Sequence, residues 1–269
     1  MSFKPILVVA GEPNSVFLEI FFKSLKKKKY KTPIIIIVSK KLLIQQMKNL
    51  RFKYKVNLIN KDHINFNKLD NKKINVINVN FEFKKTFDHI SKKSNAYISK
   101  SFDIALELIK KHKLLKLING PISKKHFLNS KIIGITEYLA KKTNKTDHVA
   151  MLIFNKKLAV CPITTHLPLK DVHKNLSKKK IITQINLIKL FYLKNFKKNP
   201  KIALTGLNPH CESNYFNSEE VKIIKPAIKS LINKGCKVYG PFAADTIFMK
   251  EQSKKYDVIV GMYHDQVLT

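Results

Sequence analysis

The chain is expected to be an α/β protein: two doubly wound domains with mixed or parallel sheets. Three observations lead there. Apolar runs of strand length (Pro5 to Ala10, Thr32 to Val38, Lys201 to Gly206, Tyr256 to Gly261) alternate with stretches whose apolar residues recur at helical spacing. These runs are nearly continuous in Val, Ile and Leu, as in parallel strands buried on both faces. The last two of these runs and a third, Leu158 to Cys161, also deliver a histidine just past their ends: His210, His264 and His166.

In chain order, Pro5 to Ala10 is a buried strand bounded by Gly11, and Gly11-Glu12-Pro13-Asn14-Ser15 is a tight turn. Phe17, Leu18, Phe21, Phe22 and Leu25 mark a helix, Thr32 to Val38 a second strand, and Leu42, Leu43 and Met47 a second helix. This β-α-β-α opening predicts parallel strands with right-handed crossovers. Val56 to Ile59 and Ile74 to Val79 read as short strands. A helix runs from about Asn95 to Lys111, and Leu114 to Ile118 is a strand leading into Asn119-Gly120-Pro121-Ile122-Ser123-Lys124. The first domain is placed at residues 1–130 and the second at 131–269.

In the second domain, Gly134 to Ala140 enters a short helix, and His148 to Phe154 with Leu158 to Cys161 forms a hairpin. A long helix covers Lys178 to Phe196. Asn217 with Glu220 three residues on has the form of a capping box, and the helix beyond it is bent at Pro226 and stops at Gly235.

Composition narrows the function classes. The formal net charge is +34. It raises nucleic acid as a partner, but Arg51 is the sole arginine, and readers of bases and phosphates favour arginine. The lysines are spread along the whole chain beside abundant Ile and Asn, which is compositional drift rather than a polyanion groove. No nucleic-acid partner is therefore expected, although a basic surface would steer a phosphorylated substrate or a dinucleotide. No apolar run reaches the roughly 20 residues that span a bilayer, so no membrane is expected. The odd trio Cys161, Cys211 and Cys236 lacks a Cys-x-x-Cys pair, which fits a reducing, cytoplasmic setting.

Any one of nine histidines is more often a surface or hydrogen-bonded residue than a ligand. For His166, His210 and His264 the shared strand-end position favours a common sheet edge, where open α/β sheets bind ligands. Thr165, Asn208 and Asp265 stand beside them as orienting groups. Three histidines with an open position would make a catalytic rather than a structural metal site. Asp245 and Asp265 are the acidic candidates, with a turn or cap role as the plainer alternative for Asp245. Cys211 could approach a metal or simply be a small residue. Among seven glycines there is no Gly-x-Gly-x-x-Gly or Walker loop, so a nucleotide cofactor would not be held in the usual Rossmann manner.

The segments Val9-Ala10-Gly11-Glu12-Pro13, Asn119-Gly120-Pro121-Ile122, Gly134-Ile135-Thr136-Glu137, Thr164-Thr165-His166-Leu167-Pro168-Leu169, Gly206-Leu207-Asn208-Pro209-His210, Ala244-Asp245-Thr246 and Met262-Tyr263-His264-Asp265-Gln266 occur in one order. In that order they resemble the 4-hydroxythreonine-4-phosphate dehydrogenase family of pyridoxal phosphate biosynthesis. The resemblance implies a fold similar to isocitrate and isopropylmalate dehydrogenases, and a homodimer with its active site at the subunit interface. It implies His166, His210 and His264 as ligands of a divalent metal (zinc, magnesium or cobalt), Thr136 and position 135 as substrate contacts, and NAD or NADP as oxidant. The implied reaction oxidises 4-phosphohydroxy-L-threonine to a 3-oxo acid that decarboxylates to 3-amino-2-oxopropyl phosphate.

The chain departs from the family pattern at Ile135, where the family has a histidine; an isoleucine makes no hydrogen bond to phosphate or carboxylate. That leaves a relative acting on another phosphorylated hydroxy acid, such as a four-carbon phospho-sugar acid, as an alternative. The loop after Gly-Glu-Pro is altered as well. The family's lysine, asparagine and arginine contacts and its dinucleotide-holding segment would come after Thr269. The chain as given is therefore expected to bind metal and to oxidise substrate poorly.

Overall fold

The computed structural model describes residues 4–128, 134–211 and 215–268. The chain divides into two units, Met1–Ile135 and Thr136–Thr269.

The first unit holds β1 (Ile6–Val9), α1 (Phe17–Lys27), β2 (Ile34–Val38), α2 (Lys40–Asn49), β3 (Val56–Leu58), β4 (Ile74–Asn78), α3 (Asn95–His112) and β5 (Leu117–Asn119). Its sheet has the order β3-β4-β2-β1-β5, and every pairing is parallel. The β-branched run of β2 is the central strand, with Ile36 in register with both Val8 and Val76. Ile35 to Val38 are fully buried, which is why this strand shows no polar alternation. Leu18, Phe21 and Phe22 give α1 its buried face, and Phe22 packs on Phe52 and Tyr54. Ser39 caps α2 by accepting a hydrogen bond from the Leu42 N–H.

The second unit holds α4 (Ile135–Lys142), β6 (Ile153–Phe154), β7 (Ala159–Thr164), α5 (Leu169–Val172), α6 (Lys178–Phe196), β8 (Lys201–Thr205), α7 (Lys225–Asn233), β9 (Lys237–Phe242), α8 (Ala244–Ile247), α9 (Lys250–Ser253), β10 (Val258–Tyr263) and α10 (Asp265–Leu268). The strand order is β6-β7-β10-β8-β9. Among these strands only β6 runs antiparallel. The chain's last strand is thus inserted between β7 and β8, and the three strands that precede the histidines are immediate neighbours. Ser177 caps α6 through the Lys180 N–H, and Ile181, Ile185, Ile188 and Tyr192 bury one face of that helix against the sheet.

Three local expectations are corrected. The strand expected at Leu114 to Ile118 is instead Leu117–Asn119, because Lys113 in a left-handed conformation and the Leu114 N–H, bonded to the Ile109 carbonyl, close α3. The hairpin's first arm shrinks to Ile153–Phe154, since turns at Lys145 and His148 consume the residues before it. Glu220 forms no capping box: the first turn of its helix is a π-turn at Glu220–Ile224 whose cap residue is Glu219. Pro226 follows directly on that π-turn, so the winding changes from π to α next to the proline, whose missing N–H an unbroken α-helix would need. No helix among the described residues is long and apolar enough to cross a membrane.

Candidate functional site

The carboxyl ends of β7, β10 and β8 lie side by side, and the distance of each histidine from its strand end decides where it goes. His166 stands two residues past β7 and His264 one residue past β10, and their rings lie 5.8 Å apart, centroid to centroid. His210 stands five residues past β8, on a turn that carries it away to an exposed position. Among the described residues no three His, Cys, Asp or Glu side chains come together closely enough to hold a metal. The structure therefore brings two of the three expected ligands together and leaves His210 apart.

His166 and His210 both adopt left-handed backbone, with φ of 47° and 56°. Few non-glycine residues do this, and such strain persists only where the surroundings over-determine it. Each imidazole also faces a carboxylate through Nδ1. The gap is 2.7 Å from His264 to Asp265, 3.5 Å from His210 to Asp245 and 3.8 Å from His166 to Glu137. A carboxylate only accepts, so the His264 contact places a proton on Nδ1 and leaves Nε2 as the ring nitrogen that Asp265 does not engage. The His166 Nδ1 and the Glu137 Oε2 are both buried, and neither has a hydrogen-bond partner among the described residues.

Expected orienting groups and observed ones differ. Thr165 donates to Glu137 rather than to His166, and Asn208 donates to Glu219 and Glu220 rather than to His210. Asp265 does face its histidine. Asp245, the other acidic candidate, faces His210. Cys211 tucks its sulfur beneath Gly206, where a Cβ would come within 2.6 Å of it, and burial pushes its thiol pKa upward. The small-residue role suits it.

Sequence reasoning missed Glu220. This carboxylate is fully buried. Its Oε1 accepts the backbone N–H groups of Leu207 (2.7 Å) and Asn208 (2.9 Å), and its Oε2 accepts the Asn208 side-chain amide at 2.8 Å. Burial pushes the carboxyl pKa up, but the hydrogen bonds from Asn208 and Leu207 outweigh it, and the group is held below the usual carboxylate value. Glu220 fastens the turn that bears His210. Its signal, a carboxylate three residues after Asn217, was the same one that suggested a cap.

Thr136 and Ile135 open α4. Thr136, Glu137, Thr165, Lys180 and Gln184 line part of a cavity of about 220 Å³ in which burial lowers the Lys180 pKa. Ile135, half-buried, brings no polar group to its position.

Parallel sheets with polar and ionisable groups gathered past their carboxyl ends define an α/β protein of the kind that processes small ligands at that edge. Comparison with known proteins is more specific. Residues 29–269 match the family described as pyridoxal phosphate biosynthetic protein PdxA. A 4-hydroxythreonine-4-phosphate dehydrogenase of Sulfurihydrogenibium sp. is 34% identical over 270 residues, covering 98% of this chain and 81% of that protein. A D-threonate 4-phosphate dehydrogenase of Pectobacterium atrosepticum is 34% identical over 174 residues, 61% of this chain and 53% of that protein. The crystal structure of the 4-hydroxythreonine-4-phosphate dehydrogenase of Klebsiella pneumoniae superposes with a TM-score of 0.82 at 29% identity, covering 98% of this chain and 82% of that one. The chain belongs to the PdxA family, which places it among the oxidoreductases.

Proposed function

We propose that this chain oxidises 4-phosphohydroxy-L-threonine with NAD or NADP, in a homodimer, with a divalent metal held by His166, His210 and His264. The observation that carries this reading is the His166–His264 pair at 5.8 Å, with a carboxylate facing Nδ1 of each. The buried His166 Nδ1, which lacks a hydrogen-bond partner among the described residues, and the His264 Nε2, which Asp265 leaves unengaged, fit a cation. His210, set apart from this pair in the structure, would supply the third nitrogen.

A divalent ion held there would supply Lewis acidity for loss of the hydroxyl proton, and a bound nicotinamide would supply the hydride acceptor. The chain's own groups do the rest. Asp265 holds the His264 ring by Nδ1, which fixes its tautomer and orientation. Asp245, more than half exposed beside His210, would take the hydroxyl proton. Thr136, in the first turn of α4, offers a hydroxyl and a helix N-terminus to an anionic group of the substrate. Loss of carbon dioxide from the 3-oxo acid sends the electrons of the breaking C–C bond into the adjacent ketone as an enolate, and a proton from solvent on the carbon that lost the carboxyl group completes the product.

A second reading, oxidation of 4-phospho-D-threonate, rests on Ile135, which lacks the histidine's hydrogen bond, and on the similarity to the Pectobacterium enzyme. Reduction of NAD or NADP with each substrate separates the two. Turnover of 4-phosphohydroxythreonine supports the first; turnover of phosphothreonate alone removes it.

A further inference from the structure

Beyond Leu204 the β8–β10 ladder stops: the last parallel pair is Val260 with Leu204. The strands diverge there, one toward His210 and the other toward His264. The Met262 N–H and the Gly206 carbonyl lie past that end, without the β8–β10 partners the ladder would have given them. One side chain meets both. The Gln266 Oε1 accepts the Met262 N–H at 2.7 Å and the Thr205 hydroxyl at 2.8 Å, and its Nε2 donates to the Gly206 carbonyl at 2.8 Å. The primary amide of Gln266 thus stands in for a peptide unit, spanning the splay between the two strands.

The backbone is shaped to admit this amide. A Cβ on Gly261 would lie 2.4 Å from Val267 Cγ1 and 3.1 Å from Gln266 Oε1, so a side chain there would push α10 and the amide out. A Cβ on Gly206 would meet Cys211 Sγ at 2.6 Å and Glu220 Oε1 at 2.9 Å. The third strand end is tied to the same point by the Thr164 hydroxyl, which donates to the Met262 carbonyl at 2.7 Å. The backbone of Met262, two residues before His264, therefore receives side chains at both its N–H and its carbonyl.

We propose that Gln266 is a positioning residue that sets the separation between the His210 turn and His264, and hence the geometry in which these histidines meet a divalent cation. This rests on the three-histidine reading above. A glutamine is suited to the task because it donates and accepts at once: a carboxylate would face the Gly206 carbonyl without a proton, and a methionine of similar length would leave the Met262 N–H and the Gly206 carbonyl unpaired.

The test is titration of the metal-free full chain with Co(II), which reports affinity and, through its visible d–d absorption, coordination geometry. Wild type, His166→Ala, Gln266→Met and Thr205→Val are compared, with thermal melting of each metal-free protein alongside. The expected result is tight binding by wild type and loss of it in His166→Ala. Gln266→Met should bind about tenfold to a hundredfold more weakly, as groups that orient ligands do, with an altered d–d spectrum. Thr205→Val, which removes one of the three bonds, should fall between Gln266→Met and wild type and keeps the test usable if Gln266→Met does not fold. A Gln266→Met or Thr205→Val protein that melts earlier but binds Co(II) with wild-type affinity and spectrum shows a purely structural glutamine and overturns the inference. Failure of wild type to bind, or unchanged binding by His166→Ala, instead overturns the three-histidine reading and the inference with it.

Discussion

The two sheets are built alike up to the ends of their strands and differently beyond them. In the first unit the ends of β1 and β5 close by backbone contact. Gly11 and Gly120 approach so nearly that a Cβ on Gly120 would lie 2.1 Å from the Ala10 carbonyl, and the buried Glu12 is spent within the unit on Ser94 and the Asn14 N–H. In the second unit the strand ends are held apart, and side chains span the gap: Gln266 between β10 and β8, Thr164 between β7 and β10, Glu220 under the His210 turn. An edge closed by glycines is rigid but offers few chemical groups. An edge propped open by buried polar side chains leaves room for histidines and fixes where they stand. The left-handed φ of His166 and His210 goes with the second design.

Substitutions can break this contrast, and the largest effect should come from the histidines. His264→Ala should lower divalent-metal affinity by more than about a hundredfold, beyond the usual effect of ligand-orienting groups, as read by Co(II) titration. Phe22→Ala, in the first unit's core at 0% exposure, should cost about 3–5 kcal/mol of stability in urea unfolding and leave the metal affinity of the folded fraction unchanged. If metal affinity fell with Phe22→Ala, the separation of roles between the sheets would be wrong.

Next in size is Glu220→Ala. It strands two partly buried backbone N–H groups, each costing at most about 1–3 kcal/mol. It should loosen the His210 turn as well, visible as faster amide exchange at Leu207 and Asn208. Glu12→Ala is the matched change in the first unit, and should destabilise without altering exchange at those two amides.

A smaller effect is expected from pH. The Glu220 carboxyl is held below its ordinary value of 4.5, so the folded state binds its proton less readily than the unfolded chain. Its stabilising contribution is present above that ordinary value and is lost as pH falls through the lower folded value. Glu220→Gln should flatten this part of the acid limb of stability. An acid limb unchanged in the variant would show that other carboxylates govern it. Cys211→Ser should be the mildest change, shifting metal affinity less than twofold if its sulfur only fills the space under Gly206.

Much of this architecture was legible in the chain itself. Uninterrupted apolar runs such as Ile34 to Val38 announce strands buried on both faces, and apolar residues at helical spacing such as Leu18, Phe21 and Phe22 announce the helices that cover them. The placement of three histidines after three strands was also visible, because it depends only on the few residues next to each apolar run. The capping-box expectation at Asn217 and Glu220 shows where such reasoning stops. The local pattern is real, but two backbone N–H groups at Leu207 and Asn208 needed a buried acceptor, and that demand took the carboxylate.

The sequence alone therefore determined the alternation of strands and helices and the residues offered at the strand ends, since both are set by neighbours within a few positions. Only the tertiary structure decided which of those residues meet. Inserting β10 between β7 and β8 puts His166 beside His264 across 98 residues of chain, and Gln266 against Thr205 across 61. No local periodicity encodes contacts at such separations. They arise from the crossover that closes the sheet and from the requirement that every buried polar group find a partner.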